Sequence, residues 1–175
     1  MTARSFDPAG EIMVLAIGNP DRGDDGVGAA VLSALQGRLP PGVTIRAAGD
    51  DLLSLVEDWG RLAALICVDA AAPMGTPGRA YRIDIGSDVG ADPGMDLAIR
   101  QLPLRRELPS SHAFGLSEAI DLARVLGLAP KHVVLFAVEG ASFELGTGLS
   151  PPVAQSVAGI AAAILDAAAR LLRPS

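Results

Sequence analysis

The segment Glu11 to Gly28, EIMVLAIGNPDRGDDGVG, decides how the rest of the chain is read. Its first part, EIMVLAIG, is a nearly unbroken apolar run that stops at Gly18, the pattern of a strand buried on both faces of a parallel sheet. A polar loop, Asn19 to Asp24, follows. From Asp25 to Leu35 the apolar residues Val27, Val31, Leu32 and Leu35 recur at helical spacing. Strand, polar loop and helix in this order make half of a βαβ unit, and the strand is expected at the centre of the sheet.

The alternation continues outward from that unit. Pro40, Pro41 and Gly42 punctuate the chain before a second strand, Val43 to Ala48, and a helix near Asp51 to Trp59 that turns Leu52, Leu55 and Val56 inward. Ala63 to Val68 is a third strand ending at Asp69. Arg79 to Ile85 alternates polar and apolar residues, as an edge strand with one wet face does. Residues 86 to 109 lose all periodicity and are expected to form a flap that contacts substrate. A helix capped by Ser110 or Ser111 then runs to about Leu126 and stops at Gly127. His132 to Val138 is a fifth strand, and Ser150-Pro151 opens a long terminal helix, Val153 to Leu172.

The order βαβαββαβα implies one domain over residues 1–175, of class α/β, built as a three-layer α/β/α sandwich around a mainly parallel five-stranded sheet. The chain has 14 basic and 20 acidic residues, a net charge of −6, and its basic residues are scattered, so nucleic acid is not an expected partner. Half the residues are hydrophobic, yet no uninterrupted apolar run reaches the roughly 20 residues of a membrane span. Residues 1–10 lack the apolar core of a signal peptide. A soluble, cytoplasmic protein with no membrane partner is expected. The single cysteine, Cys67, lies in an apolar run and reads as a small core residue.

In such sheets ligands gather beyond the carboxyl ends of the strands. Three residues fall on that rim: Asp25 after strand one, Asp69 at the end of strand three, and His112 at the start of the third helix. Two carboxylates and an imidazole form an O,O,N donor set with open positions, suited to a divalent transition metal such as nickel or zinc. Each also has a plainer role. Asp24 and Asp25 are ordinary helix-capping residues, and His112 could decorate a helix terminus. His132 has no acidic neighbour in sequence and reads as structural or exposed. The glycines at 18, 23, 26 and 28 do not fall in the G-x-G-x-x-G order, and strand two lacks the acid a ribose needs, which argues against a dinucleotide site. The only lysine, Lys131, lies outside any phosphate loop, and there is no G-x-S-x-G elbow.

Taken together, Gly18-Asn19-Pro20-Asp21-Arg22-Gly23-Asp24-Asp25-Gly26-Val27-Gly28, Val68-Asp69-Ala70, Ser111-His112 with Gly115-Leu116, and Gly148-Leu149-Ser150-Pro151 resemble, in order, the motifs of hydrogenase maturation proteases. The resemblance implies a phosphorylase/hydrolase-like α/β/α sandwich and an endopeptidase. Its partner would be the precursor of a [NiFe] hydrogenase large subunit, whose C-terminal extension is removed after nickel insertion. It also implies that Asp25, Asp69 and His112 are both the catalytic residues and the nickel ligands, Asp25 standing where many relatives have glutamate. The nickel would be carried by the precursor, and no organic cofactor is implied. One departure stands out: many relatives place an acid and two glycines after strand two, where this chain has Ala47-Ala48-Gly49, with Asp50 and Asp51 just beyond. The general base is therefore open, with Asp24 and Asp50 as candidates. A nickel-recognising assembly factor that does not cut is the main alternative, and a nucleoside-processing enzyme of similar architecture a more distant one.

Overall fold

The computed structural model describes residues 10–49, 51–85 and 111–173, with the side chains of 111–114 outside that description. The elements are β1 (Glu11–Ile17), α1 (Val27–Leu35), β2 (Val43–Gly49), β3 (Leu62–Ala71), β4 (Ala80–Asp84), α2 (Ser111–Val125), β5 (His132–Glu139) and α3 (Pro151–Leu171). Two 3-10 segments, Gly23–Gly26 and Leu53–Arg61, precede α1 and β3. The expected flap at 86–109 lies outside the described residues.

The five strands lie in the order β2-β1-β3-β5-β4. All pairs are parallel except β4 with β5, so the edge strand inferred from its alternating pattern is an antiparallel edge. The centre is β3 rather than β1. β1 is interior and paired on both sides, which accounts for its unbroken apolar run, but β3 is the longer strand and takes the middle. It continues past Asp69 to Ala71, so Asp69 lies within the strand's last turn of the pleat rather than after it.

Alternation along the strands divides the core into two layers. Ile12, Val14 and Ala16 of β1, with Ile66 and Val68 of β3, pack under α1 and α3. Met13, Leu15 and Ile17, with Leu65 and Cys67, pack under Leu55, Val56 and Trp59 of the second 3-10 segment and Leu116 and Ile120 of α2. Both faces of the sheet are therefore dry, as a parallel sheet requires. The connection from β1 to β2 runs through α1 on one face. The connection from β2 back across β1 to β3 runs on the other. The change of direction falls between β1 and β3, and it opens the crevice between their carboxyl ends.

Three local expectations are corrected. The segment near Asp51–Trp59 buries Leu52, Leu55 and Val56 as anticipated, but as 3-10 rather than α-helix. Asp24 and Asp25 do not cap α1. They sit inside the first 3-10 segment, and the residue at the N-cap of α1 is Gly26. Ser150 stands at the N-cap of α3 but makes no capping bond with its side chain. Gly127 ends α2 at φ 71°, as its position suggests. By length and composition α3 is apolar enough to cross a bilayer; Val153, Ile160, Ala161 and Ile164 commit one of its faces to the core.

Leu15 is fully buried in the middle of β1. Leu15→Ala is expected to lower the unfolding free energy by about 2–5 kcal/mol, with the urea m-value unchanged, measured by chemical denaturation at neutral pH.

Candidate active site

Four charged side chains are buried among the described residues: Asp24, Asp25, Asp69 and Glu139. All are carboxylates, and all lie at the carboxyl ends of β1, β3 and β5 or in the turn directly after β1. They divide into two kinds.

Asp24 is a structural clamp. Its Oδ2 accepts hydrogen bonds from the Ala141 amide at 2.7 Å, the Ser142 amide at 3.0 Å and the Ser150 hydroxyl at 2.8 Å, and its Oδ1 accepts from the Ser150 amide at 2.7 Å. This explains why the Ser150 hydroxyl does not cap α3. The main chain joins the same two loops: Gly23 N–H donates to the Thr147 carbonyl, Asp24 N–H to Ser142, and Gly146 N–H to Asp21. Burial pushes the Asp24 pKa up, but the bonds from Ala141, Ser150 and Ser142 outweigh it and hold the carboxyl below its ordinary value. A carboxylate so engaged is a poor proton shuttle, which removes Asp24 as general base.

Asp25, the next residue, faces differently. Its Oδ2 accepts a hydrogen bond from the Asn19 amide at 2.8 Å, which folds the Asn19–Asp24 loop back on itself. The loop can close this tightly because residue 18 is glycine. Gly18 has φ 107°, and a Cβ there would collide with the Asp25 carbonyl and lie 3.1 Å from its Oδ1. Asp25 is thus held against the carboxyl end of β1.

Asp69 occupies the neighbouring strand. Ala16 of β1 pairs with Val68 of β3, so Asp69 is level with the last residues of β1, and the 3-10 segment carrying Asp25 packs against β3. The odd-numbered residues of β3, Leu65, Cys67 and Ala71, belong to the α2 side of the sheet, and strand alternation gives Asp69 the same direction. Its Oδ1 accepts from the Ala70 amide at 2.9 Å. Its charge and the burial together push the Cys67 thiol far up, burial being the larger cause, so Cys67 is an inert core residue.

His112 is in the first turn of α2, but its side chain lies outside the described residues. Among the described residues no three His, Cys, Asp or Glu side chains group closely enough to hold a metal ion. Of the acids after β2, Asp50 lies outside the described residues, and Asp51 accepts a hydrogen bond from the Ser54 amide at 3.1 Å at the start of the second 3-10 segment. Asp51 is therefore occupied in a local turn. His132, half-buried, begins β5 at the opposite end of the sheet.

Glu139, the last residue of β5, was missed by sequence reasoning. Its Oε1 accepts from the amides of Met74 and Thr76, both at 2.6 Å. The available signal was an acid closing an otherwise apolar strand, the same signal that drew attention to Asp69.

Asp24→Ala leaves three amides and the Ser150 hydroxyl without their acceptor and is expected to cost about 3–5 kcal/mol. The pH dependence has a defined sign. Because the folded pKa is depressed, Asp24 contributes stability above the unfolded value of about 3.9 and loses it as pH falls through the folded value. Urea titrations from pH 7 down to pH 2 should show a shallower acid loss in Asp24→Asn than in the parent.

Known proteins share this fold. The family model described as hydrogenase maturation protease matches residues 30–167, a span that includes Asp69 and His112 and begins just after Asp25. The hydrogenase expression/formation protein HupD of Bradyrhizobium diazoefficiens is 31% identical over 154 residues, covering 84% of this chain and 72% of that protein. The hydrogenase maturating endopeptidase HybD from E. coli superposes with a TM-score of 0.73 at 25% identity, covering 91% of this chain and 93% of the other. The [NiFe] hydrogenase maturation protease HybD from Thermococcus kodakarensis shares the fold, with a TM-score of 0.66 at 20% identity over 93% of this chain and 99% of the other. With its α/β sandwich, its rim of buried acids and this likeness over most of its length, the chain belongs to the hydrogenase maturation protease family and is an endopeptidase of hydrogenase maturation.

Proposed function

We propose that the substrate is the precursor of a [NiFe] hydrogenase large subunit already loaded with nickel, and that cleavage removes its C-terminal extension. In this reading Asp25, Asp69 and His112 engage the nickel the precursor carries. The observation that carries the proposal is the one-sided character of the rim. Every buried charge among the described residues is a carboxylate. Carboxylates gathered at one buried edge favour an incoming divalent cation. Asp24 is compensated by four hydrogen bonds. Asp25 and Asp69, held at the ends of adjacent strands, are suited to a cation arriving with the substrate.

Bound there, the nickel would bring the nearby peptide bond to a fixed place on the rim. It would also make cleavage conditional on metal loading, because an empty precursor lacks the ion that completes the charge balance. Orientation of the scissile bond supplies a large part of the rate enhancement available to such a site. A carboxylate oxygen not engaged with the metal can accept a proton from the attacking water, a role open to Asp25 or Asp69. This assignment replaces Asp24, whose oxygens are taken.

The test is mass spectrometry of the precursor after incubation with the purified protein. The nickel-loaded precursor should lose its C-terminal extension and the nickel-free precursor should stay intact. Asp25→Ala, Asp69→Ala and His112→Ala should each slow cleavage by about 100-fold or more while retaining cooperative thermal unfolding. Parent-like cleavage in all three variants would contradict the assignment, and cleavage independent of nickel would contradict metal recognition.

A further inference from the structure

β3 lies on one side of β5 and β4 on the other. Residues 72–79, which join β3 to β4, must therefore cross over the carboxyl end of β5, where Glu139 is the terminal strand residue. Glu139 grips this crossing four times. Its Oε1 accepts from the amides of Met74 and Thr76, its carbonyl accepts from the Gly78 amide at 2.7 Å, and its own N–H donates to the Arg79 carbonyl at 2.9 Å. The two main-chain bonds would survive any side chain at position 139. The carboxyl group adds only the placement of the Met74–Thr76 turn.

That placement comes at a cost. The side chain is fully buried, and its Oε2 has no hydrogen-bond partner among the described residues. A buried carboxyl oxygen left unpaired is unfavourable, so stability alone does not account for an acid here. The turn it fixes begins just after β3 delivers Asp69 to the rim, and Ala71 of β3 pairs with Glu139 itself. Met74, at the turn, is a large apolar side chain 45% exposed.

We propose that Glu139 is a positioning residue for peptide cleavage: it fixes the Met74–Thr76 turn as the wall of the substrate cleft beside Asp69, and Met74 makes an apolar contact with the substrate polypeptide. The inference rests on the site assignment above. It is tested by steady-state cleavage of the nickel-loaded precursor, with thermal unfolding of every variant. Met74→Ser and Glu139→Ala are expected to raise KM about 10-fold with kcat within about threefold, the pattern of lost binding rather than lost chemistry. Glu139→Gln retains an acceptor oxygen for the two amides and should bring KM back to within about threefold of the parent. Val125→Ser serves as a control, since Val125 is exposed at the end of α2 that leads into the start of β5, away from the rim, and should change neither constant.

An unchanged KM in Met74→Ser, or a Glu139→Gln variant as impaired as Glu139→Ala, would overturn the proposal. If Glu139→Ala does not fold, the Met74→Ser and Glu139→Gln measurements decide. A parent protein that cuts while these KM values stay flat would remove this inference alone. A parent that does not cut the precursor would remove the site assignment and this inference with it.

Discussion

The hydrogen bonds of the Asp24 carboxylate are the constraint on which the site depends. One side chain from the turn after β1 satisfies three amides and a hydroxyl that lie 117 to 126 residues further along the chain. It thereby fastens the loop between β5 and α3 to the loop between β1 and α1, and it seats the start of α3 against the sheet. The residue beside it inherits a fixed position. Asp25 follows directly on the locked Asp24, and it packs closely against Gly18 at the end of β1. Two adjacent acids of identical chemistry are thus assigned different work by what surrounds them.

The electrostatics of the rim follow from the same division. Backbone amides and one hydroxyl stabilise Asp24 as a charged group, and two amides hold one oxygen of Glu139. These bonds resemble those that helix ends and loops make to anions, and they let an acid be buried without a basic partner. Several ion pairs lie on the surface. Arg46 with Asp58, Arg124 with Asp121 and Arg170 with Asp166 are all substantially exposed, and such pairs contribute little to stability. The sheet edge where β1 and β3 end carries two buried carboxylates, Asp25 and Asp69.

Much of this was legible in the sequence because parallel sheets write their burial plainly. The apolar runs of β1, β3 and β5 appear as strands within a few residues of their expected limits, and the edge strand β4 was visible from its alternation. Strand order was less accessible. Both β1 and β3 are buried on two faces, and only pairing distinguishes the centre from its neighbour. The capping expectation for Asp24 failed because its partners, Ala141, Ser142 and Ser150, are distant, and local sequence carries no trace of a bond spanning more than a hundred residues. Ser150 stands at the N-cap of α3 as its local signature implies, while its hydroxyl is used at long range. Glu139 escaped notice because a terminal strand acid looks like a solvated one until the β3–β4 crossing is seen to cover it. Asp25, Asp69 and His112 were legible as candidates from their places at strand ends and at a helix start, and the family resemblance added what their roles would be.

The central claim is that Asp25 and Asp69, desolvated at the ends of adjacent strands, grasp one metal ion together with His112. Diffraction at the nickel absorption edge from crystals soaked with Ni²⁺ tests it most directly. The account predicts a single strong anomalous peak about 2.0–2.2 Å from a carboxylate oxygen of Asp25, a carboxylate oxygen of Asp69 and a ring nitrogen of His112. A nickel ion held by other residues, or two carboxyl groups standing too far apart to share one ion, would contradict it.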